Sequence, residues 1–396
     1  MTFFVVENSY LVYRNKRVSR LSSLEHLLWE LVEIPSINPS LECKEAKLTG
    51  EESVASYLED KAKKSGIESS RMKVLPGRRN LILRLKPSGK VKNKVMLTPH
   101  MDVVPATPDA FHPKIKNGCL FGRGACDTKG SIASFFHAFL RLSKQSDRPK
   151  NTEIIFVGLV DEEFGQAGSR TLAQKGPKAD LAIAGEPTNL KVVSAHKGNL
   201  WIRLSTKGKA AHGSTPQYGT NAINHMSPIL KALTVDYPQL LSKKAHPRIG
   251  SPTISIGTIR GGSQPNVVPD SCEIDIDRRT IPGETDESVK KEMRNLFSKL
   301  KIKSPDFSST RSVPCPPLDT DPSLPMVQLF LKASNRRKTI GVPYFTDASP
   351  ISMGGTPALV YGPGNIAQAH AQKEWVCLKE VEKAENTIFK FLSNLR

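Results

Sequence analysis

The chain has 396 residues and a formal net charge of +19, because 57 lysines and arginines outnumber 38 aspartates and glutamates. This length suggests two or three domains, and a hydrophobic content of 38% is typical of a globular protein. No apolar run is long enough to span a bilayer, and the N-terminus lacks the charged leader and cleavage site of a signal peptide. We therefore expect a cytoplasmic protein without a membrane partner.

The basic charge is spread along the whole chain rather than concentrated in one segment. The lysine and arginine clusters are short, and none is interleaved with the aromatic residues of a single-strand binding platform. We therefore expect a generally basic surface and no nucleic-acid partner. The six cysteines include no C-x-x-C pair, so neither a thiolate zinc site nor a redox motif is indicated, and free thiols are expected.

The first part of the chain, after an N-terminal extension over residues 1–20, alternates predicted helices and strands. Leucines at helical spacing follow the capping residues Ser22 and Ser23, and Pro35 ends that helix. The other elements are a helix from Gly50 to Gly66, strands at Leu81–Leu85 and Val95–Leu97, a helix at Ser131–Leu142, and strands at Ile154–Val160 and Leu181–Ala184. This alternation predicts an α/β fold with a mainly parallel sheet flanked by helices.

The pattern changes near Lys197, where amphipathic strands begin. Strands are predicted at 200–206, 253–259 and 271–278, with helices at 217–235 and 285–301. These elements predict an inserted α+β domain, a four-stranded sheet with two helices on one face. The chain then returns to the first domain through a helix at 323–335, a strand at Ala358–Tyr361 and a helix at Leu378–Leu395. We assign residues 21–196 and 307–396 to a catalytic domain and 197–306 to the insert.

Histidine and acidic residues stand just beyond the predicted strands or in glycine-rich loops. His100 and Asp102 follow the strand Val95–Leu97, and side chains at i and i+2 share a face of a strand. A carboxylate beside an imidazole fixes the tautomer of a metal-ligating histidine. The other members of this group are Asp127, Glu162, Glu163, Glu186 and His370. In open parallel sheets, the carboxyl ends of the strands are where sites assemble.

Two imidazoles and several carboxylates, without cysteine, suit a hydrolytic zinc site and also bind manganese or cobalt. A pair of metals bridged by one carboxylate activates a water molecule and stabilises the developing oxyanion. One further carboxylate must stay off the metals to take the proton of the water. The sequence therefore predicts a dinuclear metal site for hydrolysis.

Ten motifs occur in one order along most of the chain: Pro99–Pro105, Gly122–Gly130, Asp161–Glu163, Gly185–Thr188, Lys197-Gly198, Ala211–Ser214, Gly219–Ala222, Gly261-Gly262, Asn266–Asp270 and Asp277-Arg278. With these motifs in this order, the chain resembles the dinuclear-zinc aminoacylase and peptidase family. That family contains acetylornithine deacetylase, succinyl-diaminopimelate desuccinylase and glutamate carboxypeptidase. The resemblance covers roughly residues 22–390.

The resemblance implies a ligand set for two zinc ions, with cobalt or manganese as alternatives. His100 and Glu186 would hold one metal, and Glu163 and His370 the other. Asp127 would bridge the two metals. The inserted domain would be the family's lid and dimerisation domain, which makes a homodimer the expected assembly.

The resemblance also assigns roles to residues that do not bind metal. Glu162 would be the general base and Asp102 would orient His100. In the insert, His212 would stabilise the tetrahedral oxyanion and could reach the site of a partner subunit. Asn266 and Arg278 would hold the carboxylate of the substrate, and Arg278 beside Asp277 could equally form a structural ion pair.

The expected activity is deacylation of an N-acyl amino acid by water that two metals activate, with Glu162 as general base. Gly185–Thr188 and Phe345–Ala348 look more like acetylornithine deacetylases than desuccinylases, so N-acetylornithine and a place in arginine biosynthesis are expected. A desuccinylase or a metallo-carboxypeptidase or dipeptidase would use the same residues. A non-catalytic binding protein on the same fold would need a broken ligand set, whereas here every ligand is present.

Overall fold

The computed structural model describes residues 21–311 and 313–395, which form two compact units. The first contains residues 21–194, 320–339 and 346–395, and the second contains residues 195–319 and 340–345. The predicted N-terminal extension, residues 1–20, lies outside the described residues. In the part of the chain that is described, no helix is both long enough and apolar enough to cross a membrane.

The α-helices, in chain order, are α1 (Ser23–Glu33), α2 (Glu52–Lys64), α3 (Gly130–Ser143), α4 (Ala167–Lys175), α5 (Ala222–Lys231), α6 (Tyr237–Leu241), α7 (Asp286–Lys299), α8 (Pro325–Ala333), α9 (Ala348–Met353) and α10 (Leu378–Ser393). The strands are β1 (Glu68–Leu75), β2 (Arg78–Leu85), β3 (Asn93–Pro99), β4 (Lys114–Lys116), β5 (Cys119–Phe121), β6 (Thr152–Gly158), β7 (Leu181–Gly185), β8 (Val193–His196), β9 (Gly198–Lys207), β10 (Thr253–Gly261), β11 (Ser271–Thr280), β12 (Asp306–Ser309), β13 (Leu318–Asp319), β14 (Ile340–Val342), β15 (Ala358–Tyr361) and β16 (Trp375–Cys377).

The first unit is built on a large sheet with the strand order β1-β2-β6-β3-β7-β15-β8. Its central strands β6, β3, β7 and β15 are parallel to one another, while β1, β2 and β8 pair antiparallel. The predicted α/β class is confirmed. Strand β1 was not predicted, because it contains no fully buried residue and so lacks the apolar pattern of a central strand.

Helix α3 and strand β6 form the centre of the core of this unit. Every residue of β6 is buried, and α3 buries Phe135, Phe136 and Phe139. The ring of Phe136 meets the ring of Phe156 edge to face, with their centroids 5.5 Å apart. Burying a phenylalanine side chain contributes about 1.5–3 kcal/mol, so this cluster fixes the position of the strands that carry the site.

Three adjacent strands deliver polar side chains to one edge of the sheet. Strand β3 ends at Pro99 and is followed by His100, and β7 ends at Gly185 and is followed by Glu186. Strand β6, on the other side of β3, ends at Gly158 and leads into the turn that carries Glu162 and Glu163. Because parallel strands point the same way, these residues meet at the carboxyl ends of the strands.

The second unit contains the predicted four-stranded sheet, in the order β10-β11-β9-β12 with antiparallel neighbours. Alternate residues of β9 and β11 are buried together with residues of α5 and α7, so the helices cover one face. The helix predicted at 217–235 begins only at Ala222, after the capping residue Asn221, and helical structure then continues through α6 to Leu241. Residues Pro216–Tyr218 form a separate short turn.

The boundaries between the units differ from those expected at 196/197 and 306/307. The contacts divide the chain after Ser194 and after Asp319, and residues 340–345 also join the second unit. Two strand pairings explain why the chain leaves the second unit later than expected. Asp306–Ser309 pairs with β9, and Leu318 pairs with His196. Whether the second unit is a lid and dimerisation domain stays a prediction.

Candidate metal centre and active site

His100 is buried directly after β3 and presents one ring nitrogen to the site. Its Nδ1 donates to the backbone carbonyl of Asp102 at 3.0 Å, whereas the nearest Asp102 carboxylate oxygen lies 3.6 Å from the same atom. This bond leaves Nε2 as the atom that faces the ligand cluster. The ring is therefore held mainly by the backbone of Asp102 rather than by its carboxylate.

The Asp102 carboxylate instead holds the turn that carries the paired glutamates. It accepts hydrogen bonds from the backbone N–H of Glu162 at 3.1 Å and of Glu163 at 3.0 Å. A third donor, Asn38 Nδ2, lies 2.7 Å from Asp102 Oδ2. Asp102 thus joins the end of β3 to the turn after β6.

Asp127 lies between the two histidines and contacts each with a different oxygen. Its Oδ1 is 3.1 Å from Nε2 of His100, and its Oδ2 is 3.4 Å from Nε2 of His370. This is the arrangement of a carboxylate that can bridge two cations.

Two groups of three potential ligands share Asp127. In the first, His100 Nε2 lies 3.8 Å from Glu186 Oε1, and in the second, His370 Nε2 lies 3.0 Å from Glu163 Oε2. Within each group, the ligand atoms all lie within 4.8 Å of one another. The structure therefore brings together the five residues predicted as ligands.

The electrostatics of the cluster fit divalent cations. Burial, followed by the negative charge of Asp127, raises the pKa of Glu163 to about 7, and its Oε1 is buried without a hydrogen-bond partner. Hydrogen bonds from the His370 ring to the carboxylates of Asp127 and Glu163 raise the pKa of His370 to about 10. Several buried carboxylates with few positive charges nearby are stabilised when metal ions bind between them. Histidine nitrogen together with carboxylate oxygen is a common donor set for zinc.

Glu162 belongs to neither ligand group, although it precedes Glu163 in the same turn. Desolvation in its partly enclosed position raises its pKa well above the ordinary value for glutamate. A carboxyl group with a raised pKa, close to the ligands but not one of them, is suited to accept and return a proton.

The most prominent residue that the sequence did not reveal is Glu374. Its carboxylate accepts the backbone N–H groups of Gly124, Cys126 and Asp127 at 2.8–2.9 Å, and also binds Arg123 Nη1 at 2.7 Å. Glu374 is 3% exposed and lies four residues after His370. No pattern in the sequence marks a glutamate in a polar loop as the partner of a distant loop.

A second unexpected cluster supports Asp161, which precedes the paired glutamates. Asn38 Nδ2 lies 3.2 Å from Asp161 Oδ1, and Arg78 Nη1 lies 2.8 Å from the same oxygen. Arg78 also binds Glu51, whose carboxylate accepts the backbone N–H of Asp161 at 3.2 Å. These groups fix the start of the glutamate turn.

Two predicted residues of the second unit lie on neighbouring segments. His212 is exposed, and its Nδ1 lies 2.7 Å from Ser214 Oγ. The backbone N–H of Gly213 donates to the carbonyl of Asn266 at 2.7 Å, and Asn266 is exposed. Both side chains are thus free to meet a small molecule at the surface of this unit.

Arg278 is placed differently, because its side chain is fully buried within the second unit. Its Nη2 lies 2.7 Å from Glu284 Oε1, and its Nε donates to Tyr237 Oη at 3.2 Å. This arrangement corresponds to the structural ion pair that the sequence left open, although the partner is Glu284 rather than Asp277.

The sequence profile described as Peptidase family M20/M25/M40 matches residues 96–394. The chain belongs to this family. The M20 match includes all five predicted ligands. The enzyme is therefore a metal-dependent hydrolase that acts on amides.

Curated relatives agree with this assignment. The acetylornithine deacetylase of Myxococcus xanthus is 31% identical over 342 residues, covering 83% of this chain and 88% of the relative. The acetylornithine deacetylase of Vibrio cholerae is 30% identical over 344 residues, covering 84% of this chain and 89% of the relative.

Two solved structures share the fold of the M20 chain. Aminopeptidase PepT from Bacillus cereus has a TM-score of 0.75 at 21% identity, covering 93% of this chain and 97% of its own. A dinuclear metal binding peptidase of the M20 family from Bacillus subtilis has a TM-score of 0.68 at 15% identity, covering 93% of this chain and 96% of its own. At these identities the likeness establishes the fold alone.

Proposed function

We propose that this M20 hydrolase removes the acyl group from an N-acyl amino acid, with N-acetylornithine as the substrate and ornithine and acetate as the products. The observation that carries the proposal is the pair of ligand groups that share Asp127, with Glu162 beside them and in neither. The relatives that are 30–31% identical and named acetylornithine deacetylase support the choice of substrate.

His100, Asp127 and Glu186 would hold one divalent cation, and Asp127, Glu163 and His370 the other, with zinc as the proposed metal and cobalt or manganese as alternatives. When bound, such cations act as Lewis acids that make water more acidic and polarise an amide carbonyl. The protein's part includes directing Nε2 of His100 towards the ligand cluster, which the bond from Nδ1 to the Asp102 carbonyl does.

Glu162 supplies the acid–base chemistry in this proposal. Its carboxylate accepts a proton from the attacking water and then donates that proton to the nitrogen of the leaving amine. Asp102 positions Glu162 through the backbone, since it accepts the N–H of Glu162 and of Glu163. A general base held in this way typically accelerates a reaction about 10²–10⁴-fold.

The second unit would contribute substrate contacts. We assign to His212 the stabilisation of the negative charge that develops on the amide oxygen, and to Asn266 a hydrogen bond to the carboxylate of the substrate. We omit Arg278 from these contacts because its guanidinium is buried against Glu284 and Tyr237. The second unit is also the proposed dimerisation domain of a cytoplasmic homodimer in arginine biosynthesis.

The test is amine release by zinc- or cobalt-loaded protein from N-acetylornithine, N-succinyl-diaminopimelate, other N-acetyl amino acids and a dipeptide. A strong preference for N-acetylornithine is the expected result. If only another compound of this panel is cleaved, the protein remains a hydrolase, but its substrate is that of a desuccinylase or a peptidase. The Glu162→Gln variant, loaded in the same way, controls for contaminating hydrolases.

Failure to cleave any compound, with two metals bound per chain, would overturn the proposed substrates and favour a binding protein. The assembly is tested separately by light scattering on the eluted protein, where the mass of two chains is expected. The mass of one chain would contradict the homodimer without affecting the choice of substrate.

A further inference from the structure

A small three-stranded sheet in the first unit places two cysteines opposite each other. The strand order is β16-β5-β4, and in the antiparallel pair of β5 with β16 the Cα partners are Phe121 with Trp375, Leu120 with Val376, and Cys119 with Cys377. The two cysteines are 258 positions apart in the chain, so only the fold brings them together. Both are half-buried free thiols.

The backbone hydrogen bonds around Cys119 and Cys377 show whether they form a hydrogen-bonded or a non-hydrogen-bonded pair of the antiparallel ladder. The N–H of Leu378 donates to the carbonyl of Gly118, and the N–H of Gly122 donates to the carbonyl of Glu374. Hydrogen-bonded and non-hydrogen-bonded pairs alternate along an antiparallel ladder, so Cys119 and Cys377 form a non-hydrogen-bonded pair. Such pairs have Cα atoms about 4.5 Å apart, within the range of about 4.4–6.8 Å that a disulfide spans.

The side chains of this ribbon confirm that the two thiols share a face. Phe121 and Trp375 form the neighbouring non-hydrogen-bonded pair, and their ring centroids lie 6.2 Å apart. Leu120 and Val376, between the two pairs, are fully buried and point to the opposite face. Since residues at i and i+2 share a face of a strand, Cys119 and Cys377 lie on the same side as the two rings.

We propose that Cys119 and Cys377 are a modification site that forms a cross-strand disulfide in exchange with a low-molecular-weight disulfide such as oxidised glutathione. The other cysteines do not offer this geometry. Cys126, Cys272 and Cys315 are buried, and Cys43 is half-buried with its thiol directed to the carbonyl of Glu45. Two sulfurs are also fewer than the four ligands of a structural zinc site.

The exchange proceeds in two balanced steps. The Cys377 thiolate attacks one sulfur of the external disulfide, whose S–S bond breaks and releases one glutathione thiolate. The Cys119 thiolate then attacks the Cys377 sulfur, forming the protein disulfide and releasing the second glutathione. Two protein thiols are oxidised, one external disulfide is reduced to two thiols, and the two protein protons are transferred to them.

The order of attack follows from the surroundings of the two thiols. Burial, followed by the neighbouring thiol of Cys377, raises the pKa of Cys119, which disfavours it as the first nucleophile. Cys377 immediately precedes α10, whose N-terminal end carries partial positive charge. The second step is fast nonetheless, because the fold holds Cys119 opposite the mixed disulfide.

The cross-link would tie together two segments of the metal centre. Strand β5 leads into residues 122–130, which contain Asp127, and β16 follows His370 and Glu374. A disulfide between positions so far apart in sequence also restricts the unfolded chain, so the oxidised protein should have a higher unfolding temperature. The site does not depend on the proposed substrate, since it requires only the fold.

The experiment exposes native full-length protein to oxidised glutathione and then removes the glutathione. The remaining thiols are titrated in denaturant, where buried cysteines also react, and peptides are mapped without reductant. The expected result is a fall from six titratable thiols to four, the loss of two hydrogen atoms in mass, and one cross-linked peptide pair containing Cys119 and Cys377. Dithiothreitol should restore all six thiols. The same treatment of urea-unfolded protein shows the background of unselective pairing.

Single variants separate the two steps. Cys119→Ser should stop at a glutathione adduct on Cys377, whereas Cys43→Ser, which removes a half-buried thiol elsewhere, should form the cross-link as the wild type does. A native wild type that carries stable glutathione adducts without a cross-link would overturn the proposal. So would six unreacted thiols in native protein under conditions that oxidise the unfolded chain.

Discussion

Oε1 of Glu374 accepts a hydrogen bond from the backbone N–H of Asp127 at 2.9 Å, although 247 positions separate the two residues. The same carboxylate binds the N–H groups of Gly124 and Cys126. Because Glu374 follows His370 in the chain, it joins the loop of the shared ligand to the loop of a histidine ligand. The geometry of both ligand groups therefore depends on a residue that belongs to neither of them.

We expect Glu374→Gln to weaken metal binding by about 10–100-fold, the usual effect of losing a group that orients ligands. The amide has one acceptor oxygen in place of two, and its NH2 group would face backbone N–H donors. Calorimetric titration of metal-free protein with zinc measures the change. Glu382→Gln, at an exposed position of α10, is the matched control and should bind zinc as the wild type does. Equal affinities for Glu374→Gln and wild type would contradict the role.

Replacing Glu162 should separate proton transfer from metal binding. In Glu162→Gln, we expect kcat to fall by about 10²–10⁴-fold while two metals per chain remain bound, because Glu162 is in neither ligand group. Glu163→Gln, one residue away, should instead lose metal because it removes a ligand. Metal analysis beside steady-state kinetics gives both readouts. Unchanged turnover in Glu162→Gln would remove this residue from the mechanism.

Asn38 is fully buried and donates to two carboxylates, those of Asp102 and Asp161. Asn38→Asp would place a third negative charge between them, so we expect the free energy of unfolding to fall by about 3–5 kcal/mol at pH 7. Asn38→Ala, which only removes the donor, should cost about 1–3 kcal/mol. Urea denaturation measures both.

The exposed Asn224 provides the control for the change in charge. Asn224→Asp should alter the free energy of unfolding by less than about 0.5 kcal/mol. If Asn38→Asp were no more destabilising than Asn38→Ala, the expected repulsion between the introduced charge and the two carboxylates would be contradicted.

His196 predicts a dependence of stability on pH. Burial lowers the pKa of this fully buried ring from 6.5 to about 4. Between these values the unfolded chain binds a proton that the folded chain does not, so stability is complete above pH 6.5 and is lost as the pH falls towards 4. The loss approaches about 1.4 kcal/mol per pH unit.

Replacing His196 by glutamine should remove the part of the pH dependence of stability that this histidine causes. Urea denaturation at pH 7.5 and pH 5 should show a smaller decrease in stability for His196→Gln than for the wild type. His112→Gln, at an exposed position, should retain the wild-type decrease. A pH dependence in His196→Gln equal to that of the wild type would show that other groups cause it.

Arg278→Lys tests whether this residue is structural or binds substrate. Lysine cannot reproduce the fork that contacts Glu284 and Tyr237, so we expect a loss of about 1–3 kcal/mol of stability with KM unchanged. The neighbouring Arg279→Lys, at a half-buried position bonded to Asp277, serves as control. A tenfold rise in KM with normal stability would instead identify Arg278 as a substrate contact.

The apolar patterns of the sequence were sufficient to predict the fold class, and the resemblance to a known family supplied the predicted ligands that the structure brings together. Residues such as His100 and Glu186 follow apolar strands directly, and local periodicity is sufficient to locate a strand and the polar residue at its end. That these polar residues meet then follows from the rule that the carboxyl ends of parallel strands share an edge. The paired acidic residues after β6 were also recognisable as unusual, because adjacent carboxylates repel unless cations hold them. The role of Glu162 as general base came from the resemblance and stays a prediction.

The residues that hold these groups in place became visible only in the folded structure. Glu374, Asn38 and Arg78 contact segments far away in sequence, and hydrogen bonds of this kind have no periodicity that a local pattern records. The same reason applies to the burial of Arg278, to the register that pairs Cys119 with Cys377, and to the boundaries between the units. Local sequence specifies which face of an element is apolar, whereas the partner of each polar group is fixed only when the elements pack.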